Sequence, residues 1–295
     1  MSLPPPNSNQ PYCTVSALEG GTLSLDYATF NDNAIPGEIH RVPSLSFLLR
    51  HSANKKRLVF DLGIRKDWQN LPPIILRWNE DFLSEVEQDV VESLAKGGLT
   101  PDDIDTVCLS HVHWDHHGHA PSFPQSKFVV GGDTLKFIES SGFYSESQNP
   151  ESPFPEDLLP MKDTHFLGED VKWERVGPFP RAHDFYGDGS LYIIDAAGHT
   201  PGHINLLART SADGAWIYLA ADSAHHFNLI TGKSNIACGP DGCAHMSKEL
   251  AEDTIRRIRE VMVDPRVRVM IAHDKAWYDD NKDGVAFFPG AIPSF

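Results

Sequence analysis

The stretch "LSHVHWDHHGH" at positions 109–119 places five histidines and one aspartate within the nine positions that start at His111. Neutral imidazole and carboxylate groups are the ligands that suit Zn²⁺, Mn²⁺ or Fe²⁺. Side chains alternate along an extended segment, so we expect His111 and His113 to point the same way. Asp115 and His116 follow a bend and are free to turn towards a second ion. The spacing therefore predicts a metal site, in preference to a polar loop that is histidine-rich by chance.

Three further ligand-type residues come directly after apolar runs elsewhere in the chain. "LYIIDAAGH" leads to His199, "IYLAAD" to Asp222 and "VMIAH" to His273. Ionisable residues at the ends of buried strands converge at one edge of a sheet, where α/β proteins place their sites. This set exceeds the needs of one tetrahedral ion and suits two ions that share a carboxylate and a bridging hydroxide. The predicted ligands are His111, His113, Asp115, His116, His199, Asp222 and His273.

The elements that must position these residues alternate between strand-like and helix-like patterns. Strands are predicted at "SLSFLLRH", "KRLVFDLG", "SKFVVGG", "SLYIIDAAGH", "AWIYLAADS" and "RVRVMIAHD", and a further buried strand ends at His111. Apolar residues at helical spacing, followed by two glycines, predict a helix over 81–96. Two more helices are predicted at "DTLKFIESS" and "SKELAEDTIRRIREVM". The second of these carries on one face Leu250, Ile255 and Ile258.

No shift in composition and no short repeat divides the chain, so we expect a single domain over residues 1–295. Residues 1–15 begin with a proline-rich stretch that predicts an extended N-terminal arm. Residues 142–165 are rich in Pro, Ser and Glu, a composition typical of a loop that covers a site. We therefore expect this loop to lie near the active site.

The net charge of −16, from 41 acidic and 25 basic residues, restricts the partners. Such a surface repels phosphate backbones and anionic lipids, so neither nucleic acid nor a membrane is expected and a small neutral substrate is favoured. No apolar run approaches the roughly 20 residues that span a bilayer. The N-terminal segment has neither the basic nor the apolar region of a secretory signal, which predicts a cytoplasmic protein. A dimer stays open.

Four cysteines are too few for a disulfide scaffold at this length. Cys108 lies in an apolar run and is expected to be a small buried side chain. Cys238 and Cys243 stand in the turn-rich segment "CGPDGCAH" close to His245. A second small metal site there is an alternative, although the spacing matches no common zinc pattern.

The combined motifs resemble those of the metallo-β-lactamase superfamily. "HVHWDHHG" is similar to the His-x-His-x-Asp-His signature of that family, and "AGHTPGH", "AADS" and "AHD" match its later metal motifs in order and approximate spacing. The similarity runs from about Pro43 to His273. It implies an α/β fold of the family's type, an αββα sandwich of two mixed β-sheets flanked by helices, with the metals at one edge of the sheets.

The resemblance also implies how the ligands divide between two ions. One ion is held by the residues that match His111, His113 and His199. The other is held by the residues that match Asp115, His116 and His273. Asp222 bridges the two ions, and Asp61 orients a ligand histidine. The implied cofactors are two divalent metal ions, with Zn²⁺ favoured and Mn²⁺ or Fe²⁺ as alternatives.

Several branches of the superfamily fit this chain poorly. The flavodiiron-type reductases carry a glutamate at the position of His113, and the single-iron persulfide dioxygenases lose ligands that are all present here. Nucleic-acid-processing branches need extra domains or basic surfaces, and glyoxalase II-like thioesterases end in a basic helical domain. The tail after His273 is short and acidic. "GHTPGHINLL", the bridging aspartate and the final "AHD" instead resemble the lactonases that open N-acyl homoserine lactones.

Two positions depart from the lactonase pattern. Those enzymes often carry a tyrosine three residues after the bridging aspartate, where it contacts the substrate carbonyl, and this chain has His225 there. The histidine either donates a hydrogen bond to an oxyanion or only lines the pocket. Ala221 replaces the family's usual glycine before the bridging aspartate, a change expected to alter only backbone packing.

The predicted function is the opening of a small cyclic ester, a lactone, by a metal-bridging hydroxide that forms near pH 7. Asp115 takes the proton of this nucleophile and passes it to the leaving group. Asp115 and His225, the latter as donor to the oxyanion, are the predicted catalytic residues. A lactamase that opens a small cyclic amide or carbamate, as in detoxification of a xenobiotic or plant toxin, is the main alternative. A thioesterase comes next. A redox or non-catalytic metalloprotein is poorly supported by a complete ligand set.

Aromatic residues in two loop segments are candidates for contact with a flat or acyl-bearing substrate. With one histidine, the candidates are Trp68, Trp78, Phe143, Tyr144, Phe154 and His226. Packing beneath their own loops is the alternative for each aromatic residue. His117 and His119 are expected to make hydrogen bonds away from the ions, and His203 to pack near His199.

Overall fold

Two six-stranded sheets dominate the computed structural model, which describes residues 2–239 and 242–295. The first sheet has the order β1-β4-β5-β6-β7-β8. Its strands are β1 (Cys13–Leu18), β4 (Ser46–His51), β5 (Arg57–Phe60), β6 (Thr106–Cys108), β7 (Lys127–Gly131) and β8 (Thr164–Leu167). β1, β4 and β5 pair antiparallel, whereas β5 to β8 run parallel, so the carboxyl ends of the last four strands meet at one edge.

The second sheet has the order β16-β13-β12-β11-β10-β9. Its strands are β9 (Glu174–Val176), β10 (Phe179–Asp184), β11 (Leu191–Asp195), β12 (Ile204–Arg209), β13 (Trp216–Leu219) and β16 (Val267–Met270). The only parallel pair among these described strands is β13 with β16, so their carboxyl ends also lie side by side.

The remaining elements within the described residues are two hairpins, six α-helices and six short 3-10 helices. The hairpins pair β2 (Thr22–Asp26) with β3 (Ile39–Pro43) and β14 (Cys238–Gly239) with β15 (Gly242–Cys243). The helices are α1 (Pro73–Phe82), α2 (Val90–Ala95), α3 (Thr134–Ser141), α4 (Phe227–Thr231), α5 (Lys248–Met262) and α6 (Lys275–Asn281). None of the helices in the described ranges has the length and apolar character that crossing a membrane requires.

Three hydrophobic layers explain how the sheets and helices stack. Between the sheets, Phe60 and Leu49 of the first pack in one cluster with Leu206 and Ile217 of the second. The outer face of the second sheet is covered by α5, whose Ile255 and Ile258 are buried. The outer face of the first sheet packs against Leu94 of α2 and Ile138 of α3. The order helix, sheet, sheet, helix confirms the predicted αββα sandwich.

The helix predicted over 81–96 is wrong in its extent. Helix α1 ends at Phe82 because Leu83 adopts a left-handed conformation (φ 46°). Glu85 then exchanges backbone hydrogen bonds with Thr22, which draws this segment into a β-bridge. Helix α2 starts only at Val90, where Asp89 and Glu92 form a capping box. Of the apolar residues at helical spacing, Val90 and Leu94 therefore lie on α2, whereas Leu83 and Val86 lie in the break between the two helices.

The N-terminal arm and the loop at 142–165 both pack on the body of the protein. Arg209 donates hydrogen bonds to the carbonyls of Pro4 (2.8 Å) and Pro5 (3.1 Å), which hold the arm along the second sheet. The arm gives way to β1 at Cys13, earlier than predicted. The loop is held inward by Phe154, which is buried in the cluster outside the first sheet.

Candidate metal centre

Four side chains form the first of two ligand groups at the edge of the sandwich. His111 and His113 come from the turn after β6, His199 from the turn after β11, and Asp222 from the turn after β13. Each offers one ligand atom, and the four atoms all lie within 4.8 Å of one another. The Nε2 atom of His199 lies 3.0 Å from Nδ1 of His113. These atoms are placed to share one ion.

The second group consists of Asp115, His116, Asp222 and His273, again with ligand atoms within 4.8 Å of one another. His273 follows β16, the parallel neighbour of the strand that leads to Asp222. Its Nε2 atom lies 3.2 Å from Oδ1 of Asp222. The other carboxylate oxygen of Asp222, Oδ2, lies 3.3 Å from Nε2 of His116 and 3.6 Å from Nε2 of His199. Asp222 thus stands between the two groups.

Hydrogen bonds on the far side of the imidazole rings fix which nitrogen points into the site. Nδ1 of His116 lies 3.0 Å from Oδ2 of Asp61, and Nδ1 of His273 lies 2.8 Å from the carbonyl oxygen of Pro43. Nδ1 of His111 lies 2.9 Å from Oγ of Ser110. A ring that donates through Nδ1 presents the lone pair of Nε2, which is the arrangement of a metal ligand.

Asp61 is held in place by its backbone and by Ser110. It follows β5 in a left-handed conformation (φ 59°) and is 1% exposed. The backbone N–H and the hydroxyl of Ser110 each donate to its carboxylate at 2.7 Å. Burial raises the pKa of this carboxyl group, and its hydrogen bonds to His116 and Ser110 act in the opposite direction. The structure places Asp61 against Nδ1 of His116, and its role in orienting a ligand histidine stays a prediction.

The donor set fits divalent cations. Nε2 of His111, Nε2 of His116 and Oδ1 of Asp222 are buried and have no hydrogen-bond partner among the described residues. A buried polar atom that lacks a partner costs about 1–3 kcal/mol, and more when charged. Cations would satisfy these atoms, because imidazole nitrogens and carboxylate oxygens are their usual ligands.

The electrostatics of the site favour neutral imidazoles in the first group. Burial lowers the pKa of His113 to about 4 and also lowers the pKa values of His111 and His199 well below the usual range. Burial also disfavours the charged form of His116, but the carboxylates of Asp222 and Asp115 outweigh it and raise its pKa. Neutral imidazole is the form that binds a metal ion.

His225 lies against the carboxylate of Asp222, and His245 packs beside His225. Nε2 of His225, the residue at the lactonase tyrosine position, lies 3.2 Å from Oδ2 of Asp222. The ring of Phe30 stacks on His225 with 4.2 Å between the centroids. His245, which sequence reasoning did not assign to the site, lies with its ring centroid 5.2 Å from those of both His199 and His225. His245 ends the segment "CGPDGCAH", and its position in the sequence shows no regular spacing to the other histidine motifs.

The alternative of a small metal site at Cys238 and Cys243 is wrong, because a disulfide joins the two residues. Their thiolates are therefore not free to bind an ion. Pro240 and Asp241 of this motif lie outside the described residues. The paired cysteines are the ends of the hairpin formed by β14 and β15, which leads directly to His245. Cys108 is buried, as predicted.

The predicted substrate-contact residues occupy three different environments. Trp68 is partly buried against the cluster that contains Trp114 and Phe30, whereas Trp78 is 42% exposed on α1. Phe143, Tyr144 and Phe154 belong to the loop, where Phe154 is 2% exposed and packs edge-on against Phe137. Phe143 is partly buried against the same cluster as Phe154.

The other histidines near the site make separate contacts. Nδ1 of His226 accepts from the backbone N–H of Asn228 and so caps α4. His117 bonds the carbonyl of Gly118, and His119 bonds Ser122. His203 packs with its ring centroid 5.8 Å from that of His199. Among the described residues, His117, His119 and His203 are members of neither ligand group.

Comparison with known proteins identifies the family. A family model described as "Metallo-beta-lactamase superfamily" matches residues 40–213. The chain therefore belongs to the metallo-β-lactamase superfamily, which confirms the resemblance of its motifs. A solved N-acyl homoserine lactone hydrolase, with N-hexanoyl-L-homoserine at its catalytic metal center, has a TM-score of 0.69 at 20% identity. The match covers 95% of this chain and 99% of that one, and it confirms the fold.

Curated relatives point to hydrolytic chemistry. Gamma-lactamase MBL2 of Gibberella moniliformis is 36% identical over 57% of this chain and 71% of the relative. "Cytochrome P450 monooxygenase mpaDE'" of Penicillium brevicompactum is 29% identical over 99% of this chain. The chain spans only 36% of that relative's length. The family and the lactamase relative support assignment to the metal-dependent hydrolases.

Proposed function

We propose that this protein is a dinuclear metal-dependent hydrolase that opens a small cyclic ester. The observation that carries the proposal is the position of Asp222, whose carboxylate belongs to both ligand groups. A carboxylate shared in this way suits two ions a few ångströms apart. The ligands of the two ions would then be His111, His113 and His199 for one, Asp115, His116 and His273 for the other, and Asp222 for both.

Two divalent ions in such a site supply an activated water near pH 7 and a Lewis acid for the substrate carbonyl. The protein's own part begins with Asp115, whose Oδ2 lies 3.5 Å from Nε2 of His273 and 3.7 Å from Nε2 of His116. In the proposed reaction this carboxylate would take the proton of the attacking water and return it to the leaving oxygen. His225, close to Asp222, faces the developing oxyanion and stabilises it.

A γ-lactam is the second candidate substrate class. It is favoured by the gamma-lactamase relative, which is more similar in sequence than the lactonases, and by His225 in place of their tyrosine. An amide nitrogen leaves poorly unless it is protonated, so this reaction would depend more heavily on proton transfer from Asp115. The two substrate classes therefore make different demands on the same residue.

A panel of substrates tests the proposal directly. Purified protein loaded with Zn²⁺ would be offered acyl homoserine lactones, aromatic lactones and aryl lactams, with ring opening followed by the fall in pH. We expect about two ions per chain and hydrolysis of at least one lactone. Protein stripped of metal by a chelator is the control and should be inactive. A single redox-active iron in the protein as purified, together with no ester hydrolysis by the Zn²⁺-loaded protein, would overturn the proposal. Turnover of lactams alone would select the second candidate.

A further inference from the structure

His245 is a buried polar side chain that the proposed reaction leaves unused. It is 3% exposed, and neither Nδ1 nor Nε2 has a hydrogen-bond partner among the described residues. A neutral imidazole carries one donor and one acceptor, and buried polar groups are nearly always paired. The missing partner is therefore expected to be a ligand that enters the site.

The surroundings of His245 show where such a ligand would lie. Its ring meets His199 of the first ligand group at an interplanar angle of 80° and meets His225 at 62°. His203 also lacks partners for both ring nitrogens, but its ring contacts are with the metal-ligand positions His111 and His199. His245 is distinguished by its contact with His225, which belongs to neither ligand group.

The backbone around His245 is fixed on both sides of the residue. The N–H of Met246 donates to the carbonyl of His199 at 3.0 Å, and the N–H of Ser247 donates to the carbonyl of Gly198 at 2.9 Å. Before it, Ala244 packs against the aromatic cluster that contains Phe30. The ring is thus held against the metal centre by its neighbours, as a preorganised binding group must be.

We propose that His245 is a substrate-binding residue that hydrogen-bonds a polar substituent on the cyclic substrate, beside His225. The inference rests on the proposed function, since it assumes that a cyclic substrate enters the metal site. The substituent is a carbonyl, hydroxyl or amide attached to the ring and distinct from the scissile bond. His245 thereby selects substituted rings over bare ones, while His225 acts at the scissile carbonyl.

The test compares a substituted ligand with a bare one in the variant His245→Phe, which keeps an aromatic ring and removes both hydrogen-bonding nitrogens. The probes are N-hexanoyl-homoserine and 4-hydroxybutyrate, the ring-opened acids of a substituted and an unsubstituted lactone. Their binding to Co²⁺-loaded protein is followed by the visible absorption of the metal, so no turnover is needed. We expect the variant to bind the substituted acid about tenfold more weakly and the bare acid within about twofold.

Two further variants separate binding from folding. His245→Asn keeps a donor and an acceptor and should restore affinity to within about threefold of the wild type. Met246→Ala, at the exposed neighbouring residue, is the matched control and should leave both affinities unchanged. The metal content of each variant is measured in parallel.

Several outcomes would overturn the inference. They are equal weakening of both acids, no weakening of either, failure of His245→Asn to restore binding, and absence of binding to the wild type. Hydrolysis assays report separately on the proposed function. If the wild type opens no ring but discriminates between the acids through His245, the proposed reaction fails and the binding role stands.

Discussion

Asp61, which belongs to neither ligand group, contacts the candidate metal ligand His116. Asp61 accepts two hydrogen bonds from Ser110 and lies 3.0 Å from Nδ1 of His116. The carboxylate thereby holds the proton of His116 on Nδ1 and leaves Nε2 for the ion. Such partners usually affect metal affinity by 10–100-fold, in an order-of-magnitude sense.

Replacement of Asp61 by Asn should weaken metal binding about 10–100-fold, because the amide cannot match all the hydrogen bonds that the carboxylate accepts. Competition of the protein with a chromogenic chelator for Zn²⁺ measures the effect. The exposed Asp133→Asn substitution serves as the control and should leave the affinity as it is. Equal affinities for Asp61→Asn and the wild type would show that His116 does not depend on this contact.

The variant Asp115→Asn should lower turnover at least about 100-fold, since it removes the proposed acceptor of the water proton. At least one ion should remain bound, because the first ligand group does not include Asp115. Steady-state rates and metal analysis of the same sample test both parts. Unchanged turnover would refute the proton-transfer role.

The positions of the strand ends were more predictable from the sequence than the segments between them. A candidate ligand follows the apolar run of each of the strands β6, β11, β13 and β16 in the sequence. The structure brings the ends of these strands to one edge of the sandwich. The break between α1 and α2 was not predictable from periodicity, because it depends on the long-range pairing of Glu85 with Thr22. Leu250 of α5, placed by its spacing on one face with Ile255 and Ile258, is 51% exposed, whereas the other two are buried.

The sequence also did not predict that the β14–β15 hairpin places His245 at the site. Cys238 and Cys243 are separated by five positions, and such a short spacing is typical of turns, metal sites and disulfides alike. His245 enters the site because Met246 and Ser247 bond to the turn that carries His199. Contacts of this kind join distant segments, and no local pattern reports them.

The double variant Cys238→Ser/Cys243→Ser should lower the free energy of unfolding by about 2 kcal/mol, from the entropy of the short loop that the disulfide closes. Urea denaturation of metal-free protein measures this change. The variant should also bind N-hexanoyl-homoserine more weakly, because the hairpin leads into His245. Treatment of the wild type with a phosphine reductant should reproduce both effects and leave the variant unaffected. A variant as stable as the wild type would contradict the structural role of the bond.

The burial of the two free cysteines is a property of the whole molecule. Cys13 and Cys108 both lie in the core between the sheets, and burial raises the pKa of the Cys13 thiol to about 12. The thiolate is the reactive form, so at pH 8 neither residue should react with a thiol reagent in the native protein. Two thiols should react after unfolding, and four after unfolding with reductant. Rapid labelling of the native protein would show that the core opens.

The candidate metal ligands follow strands of two different sheets. His111, His113, Asp115 and His116 follow a strand of the first sheet, whereas His199, Asp222 and His273 follow strands of the second. Ions held by both sets would tie the two halves of the sandwich together at this edge. Ion binding to the native state alone adds about 2.7 kcal/mol of stability at a free concentration 100 times the dissociation constant.

Removal of the ions should therefore lower Tm by about 5–10 °C, and their return should restore it. Differential scanning calorimetry before and after dialysis against a chelator measures the shift. Asp222→Asn, which alters the shared ligand, should lose most of the dependence of Tm on metal, whereas Asp115→Asn should lose only part of it, because the first ligand group stays intact. A Tm that is independent of metal in the wild type would mean that the two sheets hold together without the ions and would refute this coupling.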